Sequence, residues 1–430
     1  MTSLSFCMIT TFYPPYHFGG DAIGIQRLCH ALARRGHRVT VIHDVDAWRA
    51  VSGASDPPTV PEPAGVTVHR LESGLRMLSP LLTQQIGRPV VHGRTIRRLL
   101  EEGDFDVVNF HNVSLVGGPG LLEYGSGVKL YMAHEHWLVC PSHVLWRYNR
   151  ELCDGRDCFR CAIAFHRPPQ YWRYSHLLES QLHHVDAFIA MSRFSRDKHR
   201  EFGFSREMDV LPYFLPDEGD AEPGGDDGPP HTRPYFFFVG RLEAIKGLDD
   251  VIPIFRRYPN ADLLIAGEGT YGAHLRALAG DAPNVRFLGR LGLDDLERYY
   301  RHALALVVPS VCYETFGIII IESFRHGTPV LARRIGPFPE IIEQSGGGEM
   351  FESPDELLAA MQRLQNDEPR RRRLGLAGAA ALKTYWSESV VLGGYFDIIR
   401  RVALRKGMSR VADALTTLDP SGTHGETTAS

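Results

Sequence analysis

Eleven apolar runs of strand length are strung along this chain, and a helix-like stretch separates most neighbours. In the first half they are SFCMIT (5–10), RVTVIH (38–43), VTVHRL (66–71), DVVNFH (106–111), KLYMAH (129–134) and AFIAMS (187–192). In the second half they are YFFFVG (235–240), DLLIAG (262–267), VRFLG (285–289), ALALVVPS (303–310) and PVLARR (329–334). Each is a continuous apolar run rather than a period-2 alternation. Strands read that way when helices cover both faces of a parallel sheet. The stretch 21–35 supplies a matching helix: Ile25, Leu28, Cys29, Leu32 and Ala33 fall on one stripe, and Gly36 is a natural stop. Strand and helix repeated in this way specify an α/β, doubly wound protein.

The pattern breaks once. Residues 216–234 (PDEGDAEPGGDDGPPHTRP) are acidic, rich in Pro and Gly and without periodicity, the signature of an exposed linker. The alternation then restarts. We therefore expect two Rossmann-like domains, 1–215 and 235–385, the first carrying a Cys-rich loop at 140–161. A last helix, Trp386 to about Arg405, is expected to pack back on the first domain, ahead of a disordered polar tail at 416–430. Two domains suit 430 residues. Lys plus Arg (47) nearly balances Asp plus Glu (51), so nothing demands a nucleic-acid partner. Only five of those 47 are lysines, an arginine bias that fits a GC-rich bacterial genome. The start, MTSLSFCMITTFYPP, lacks the basic flank of a signal peptide, and no apolar run approaches the ~18–20 residues of a membrane span. A soluble cytoplasmic protein is expected, with peripheral contact at a membrane face left open.

The chemistry concentrates in 240–322. Gly240, Arg241 and Leu242 end the strand at 235–240, and Lys246-Gly247 opens the next helix. A strand's carboxyl end leading into a helix N-terminus favours an anion. Arg can fork two oxygens and Lys adds a compact charge, which together suit a diphosphate; an exposed basic turn would read the same. Glu314 and Glu322 lie eight apart around Phe316-Gly317. Backbone amides at Phe316, Gly317 and Ile318 would point out of a helix start, ready for phosphate oxygens, while the carboxylates accept from sugar hydroxyls. A solvated acid plus a capping glutamate is the plainer reading of that pair.

In order along the chain stand FYPPYHFGG (12–20), HEHW (134–137), SRF (192–194), the linker, GRLEAIKG (240–247), GEG (267–269), FLGRL (287–291), the Glu314/Glu322 pair around FG, HGTPVLA (326–332) and IGPFPEII (335–342). This series resembles the retaining glycosyltransferases of family 4, of the GT-B fold, over nearly the whole chain. The resemblance implies two Rossmann-like domains facing a central cleft, and a nucleoside-diphosphate sugar (UDP or GDP) as donor to an acceptor hydroxyl of a polysaccharide, glycolipid or secondary metabolite. It implies that Glu322 holds the ribose, Glu314 the transferred sugar, Arg241 and Lys246 the diphosphate, and the backbone at Arg290-Leu291 the base. It further implies that the Gly19-Gly20 loop closes over the diphosphate and that His134 contacts the transferred sugar. On their own, Gly19-Gly20 would be a tight turn and His134 a structural strand-end histidine. The aromatic stretch 165–176 either lines the acceptor site or packs a helix on the core. A nucleotide-sugar epimerase or a catalytically silent sugar-binding protein would use the same frame. No Asp-x-Asp metal motif is recognised, so no catalytic divalent metal is expected.

Four of the seven cysteines cluster: Cys140, Cys153, Cys158 and Cys161, spaced C-x12-C-x4-C-x2-C. Four soft thiolates in a loop with little core of its own suit a closed structural Zn²⁺ site. Disulfides, an iron–sulfur cluster and free thiols are the alternatives, and His143 could stand in for one cysteine.

Overall fold

The computed structural model describes residues 3–53, 55–58, 60–217 and 228–416. Most of the expected linker (218–227) and of the expected tail (417–430) therefore lies outside the described residues. In chain order the strands are β1 (Ser5–Ile9), β2 (Arg38–Asp44), β3 (Val66–Leu71), β4 (Val107–Phe110), β5 (Val128–Ala133), β6 (Trp146–Arg147), β7 (Glu151–Leu152), β8 (Ala187–Ala190) and β9 (Met208–Val210). The second half adds β10 (Tyr235–Val239), β11 (Asp262–Ala266), β12 (Val285–Gly289), β13 (Leu306–Val308), β14 (Val330–Arg333) and β15 (Gly348–Phe351).

Two parallel sheets result, ordered β3-β2-β1-β4-β5-β8-β9 and β12-β11-β10-β13-β14-β15. The strands β1, β5 and β11 are buried along their whole length, as continuous apolar runs require. All eleven expected strands form. Four further strands form: β9 and β15, whose apolar runs are too short to stand out in the sequence, and the two-residue arms of the β6–β7 hairpin. In each sheet the order reverses beside the first strand, between β1 and β4 and between β10 and β13. A crevice outside the carboxyl ends of the strands opens at such a switch point. Gly19-Gly20 follows β1, Arg241 follows β10 and Glu314 follows β13, so topology alone brings the expected site residues to these crevices.

The chain crosses between the halves twice, side by side. Leu215 N donates to Trp386 O (3.1 Å), and Leu215 bridges Ser387 in parallel. Trp386 is buried against Phe316 and Phe324 of the second half, with ring centroids at 6.3 and 6.1 Å. The helix Glu388–Arg405 then lies on the first sheet. Its Tyr395 hydroxyl accepts from Asn109 Nδ2 at 3.1 Å, and buried Glu388 is paired with both Arg34 and Arg35.

Candidate active site

Gly247 sets the position of the first cation. Its φ is +72°, and a Cβ there would sit 2.1 Å from Pro309 O. Only glycine lets the turn Ala244–Lys246 lie this close to the end of β13. Lys246 Nζ thereby reaches Glu314 Oε1 at 2.6 Å, and Ser310 Oγ donates to the same oxygen at 3.1 Å. Burial acts to discharge both partners, yet their mutual attraction prevails. The Lys246 ammonium is held above its usual range and the Glu314 carboxyl below it, so both stay charged. Arg241 lies close enough to act electrostatically on this pair, but its own guanidinium is half exposed and bonded to Glu243 at 3.0 Å.

Gly317, at φ +109°, caps the helix Ile318–Arg325. A Cβ at Gly317 would press on the Phe338 ring at 2.9 Å. The first helical bond runs from Ile320 N to Gly317 O, so the amides ahead of it have no partner inside the helix. Phe316 itself is buried, packed on Tyr213 and Trp386. Gly20, across the cleft, is so near that a Cβ there would meet Ile318 Cγ2 at 3.1 Å. The glycine loop and the amide cluster thus face each other.

Glu322 is engaged by residues the sequence did not single out. Its Oε1 accepts from Arg27 Nη2 at 2.8 Å, on the first-half helix Gly20–Arg34, and its Oε2 accepts from the Tyr300 hydroxyl at 3.3 Å. Arg27 is a charged residue on a helix whose other face is core, and nothing in its local pattern marks it. The same holds for Thr315, which donates its hydroxyl to His134 O at 2.8 Å while its own carbonyl accepts from Ser192 Oγ at 2.7 Å. Glu340 accepts from the amides of Arg193 and Phe194. These bonds tie Thr315 to the ends of β5 and β8, and the helix Phe338–Ser345 to the segment after β8.

His134 follows β5 directly. It shares a proton with His111, Nε2 to Nδ1 at 2.8 Å, and its Nδ1 meets the Tyr213 hydroxyl at 2.6 Å. Burial drives His134 down to about 4 and His111 well below its usual value, so both rings are neutral at pH 7. Burial also takes His199 to about 4 and His43 to about 3. An unfolded histidine titrates near 6.5, so the unfolded chain binds these protons first. The stability due to the neutral rings is complete above pH ~6.5 and is lost as pH falls through the folded values, about 4 for His134 and His199 and about 3 for His43. Urea midpoints taken from pH 7.5 down to 4.5 should fall steeply below 6.5; a flat profile to pH 5 contradicts this.

Other expectations meet different outcomes. Arg290 is exposed, and, after burial, its charge helps lower the His17 imidazole in the 12–20 loop; Leu291 is half-buried. Of the aromatic stretch, Trp172 packs on the core and donates Nε1–H to Gln84 O, as the packing reading expects, while Tyr171 and Tyr174 are exposed. Cys140, Cys153, Cys158 and Cys161 line one small cavity, but no three of their sulfurs lie within 4.8 Å of one another, so the expected tetrahedral set is not assembled in this structure. Among the described residues, the group whose ligand atoms do come that close is Asp44, Asp46 and His92. The sequence does contain Asp-x-Asp, contrary to expectation, at Asp44-Val45-Asp46 and at Asp104-Phe105-Asp106, and the first spans the end of β2 and the next helix. It has structural partners: Asp44 caps Ala47 N, and Asp46 Oδ2 accepts from the amide and hydroxyl of Ser73.

Comparison with known proteins follows the same two halves. Residues 18–218 match the family model described as Glycosyltransferase Family 4, and 225–380 match that of Glycosyl transferases group 1. The chain belongs to the family 4 glycosyltransferases. Among members of known activity, the phosphatidyl-myo-inositol mannosyltransferase of Mycobacterium tuberculosis is 27% identical over 394 residues, 87% of this chain and 92% of that protein. The GDP-mannose-dependent alpha-(1-6)-phosphatidylinositol monomannoside mannosyltransferase of the same organism is 24% identical over 91% of this chain and 97% of its own length. The fold of this glycosyltransferase is shared with sucrose-phosphate synthase from Thermosynechococcus elongatus, at TM-score 0.69 and 19% identity over 97% of this chain and all of that one. The protein is thus a glycosyltransferase of the GT-B architecture, a transferase that draws on a nucleotide-sugar donor.

Proposed function

We propose that this glycosyltransferase moves a hexose, with retention, from a nucleoside-diphosphate sugar to a hydroxyl of a lipid-linked acceptor. The observation that carries the reading is the Lys246–Glu314 pair set beside the helix start at Gly317, with His134 held across the cleft through Thr315. In this scheme the diphosphate settles on the amides of Phe316, Gly317 and Ile318 and on Lys246 and Arg241, with Gly19-Gly20 covering it. Glu322 exchanges Arg27 for the ribose hydroxyls, and Glu314 and neutral His134 hold the sugar. The backbone at Arg290-Leu291 flanks the base. As the bond from the anomeric carbon to the diphosphate oxygen breaks, the acceptor oxygen attacks on the same face. The leaving oxygen takes the acceptor's proton. Lys246 and Arg241 stabilise the charge that gathers on the diphosphate.

GDP-mannose is the favoured donor, by analogy with the mannosyltransferases that the chain resembles. A lipid-linked acceptor is supported by the surface of the first half. Around the helix Leu78–Ile86, Leu75, Met77, Leu78, Leu81, Leu82 and Ile86 are all exposed, between the exposed Arg76 and Arg88. An apolar patch rimmed by arginine suits the headgroup region of an anionic bilayer. No helix among the described residues is long and apolar enough to cross a membrane, so contact would be peripheral. The test is nucleoside-diphosphate release from GDP-mannose, UDP-glucose and UDP-galactose, with and without phosphatidylinositol vesicles. Release that requires GDP-mannose and vesicles, with a mannosylated lipid as product, is expected. Donor turnover without any acceptor product, or release indifferent to lipid, overturns the acceptor assignment.

A further inference from the structure

We propose that the loop 140–161 binds one zinc ion through Cys140, Cys153, Cys158 and Cys161, and that the ion fixes the loop as a strut between His134 and Tyr313.

The backbone already converges the four residues. Cys140 closes a turn after the His134 strand end, the β6–β7 hairpin folds the chain back so that Cys153 N reaches Leu145 O (2.8 Å), and the helix Cys158–Ala164 presents Cys158 and Cys161 on one turn. All four line the same cavity, none is in a disulfide, and the arginines Arg147 and Arg156 line it too. Arg147 is itself paired with Glu151 and Asp154; the half-buried Arg173, which acts electrostatically on Cys140 and Cys158, offsets part of the net negative charge that four thiolates leave around a divalent ion.

The loop is costly without a ligand. His143, Leu145, Tyr148 and Asn149 all have positive φ, between +48° and +75°, a left-handed region that is costly for the first three in particular. A hairpin with two residues per arm does not hold such a backbone. The apolar support is one small cluster around Cys140, Leu145 and Phe202. No three of the sulfurs lie within 4.8 Å of one another, against the ~3.8 Å that Zn–S bonds of ~2.3 Å impose, so binding would draw the loop in. One contact suits a bound thiolate as it stands: Tyr148 N donates to Cys161 Sγ at 3.4 Å. Four sulfur donors select zinc over the hard cations. Each thiol gives its proton to solvent as its Zn–S bond forms, and nothing is oxidised or reduced.

The loop also touches both sides of the candidate site. His143 Nδ1 pairs with Glu135 at 2.7 Å and His143 O accepts from His136 N, immediately after His134. Tyr313, next to Glu314, packs on the Cys140 cluster from the other half. An ion in the loop would therefore brace His134 against the Glu314 segment.

The experiment is elemental analysis of the full chain purified without added metal, followed by cobalt exchange. About one zinc per chain is expected, with the intense thiolate-to-cobalt band and the visible d–d bands of a tetrahedral site after exchange. Cys158→Ser should lower the zinc content several-fold while Cys29→Ser leaves it unchanged. Stripping zinc from the wild-type protein with a mercurial should lower kcat and the melting temperature together, both returning with Zn²⁺. Metal content is read without any donor or acceptor, so its outcome is independent of the reaction assigned above. No stoichiometric metal, iron with visible absorption, or thiol titration showing two disulfides would each overturn the proposal. Zinc removal that leaves kcat intact would overturn the strut.

Discussion

Lys246→Ala is expected to reduce kcat/KM for donor turnover by about three orders of magnitude, the upper range for losing one preorganised donor to a developing oxyanion. The loss should fall mainly on kcat, because the charge that Lys246 meets grows as the diphosphate departs. The substitution also leaves Glu314, whose Oε1 is 2.6 Å from the ammonium, with Ser310 as its remaining partner. Part of the effect could then come from a displaced loop rather than a missing charge. Lys246→Arg separates the two: it keeps the charge but moves it, so turnover should recover in part while the melting temperature returns to that of the wild type. Lys246→Ala with turnover within tenfold of wild type would remove this residue from the site.

Trp386→Ala should have the largest effect on stability, about 3–5 kcal/mol, as expected for deleting a fully buried large aromatic side chain. Its ring lies between Phe316 and Phe324, and its carbonyl holds Leu215 N, so the cavity would open where the two crossings meet. A whole domain is stable by only ~5–15 kcal/mol, so the variant should fold marginally and unfold in more than one step. Urea denaturation followed by fluorescence and by circular dichroism would show the two probes separating. A loss below 1 kcal/mol with coincident curves would mean that the halves do not depend on this contact.

The sheets were legible because a parallel strand buried on both faces has no choice but to be apolar. Strands such as β1 and β11 announce themselves in five residues, while β9 and β15 do not, being edge strands that carry Asp209 and Glu349. In the candidate site, residues on the tight turns were legible, since Gly247 and Gly317 stand where the backbone needs a left-handed conformation. Partners brought in from the other half were not. Arg27 meets Glu322 across 295 positions, and Thr315 meets His134 across 181, distances at which no local pattern carries information. The cysteines show the reverse: their spacing was plain, whereas no three of their sulfurs lie within 4.8 Å of one another in the structure.

The helix Glu388–Arg405 has one more consequence, for recombination. Because this helix, from beyond the second sheet, completes the first sheet's cover, the first half is not a contiguous stretch of gene. Exchanging it between relatives by a single splice in the linker would leave the incoming lobe with a foreign lid, and Glu388 would face whatever replaced Arg34 and Arg35. A working chimaera has to import two pieces, one from either side of the second half, which is left in place.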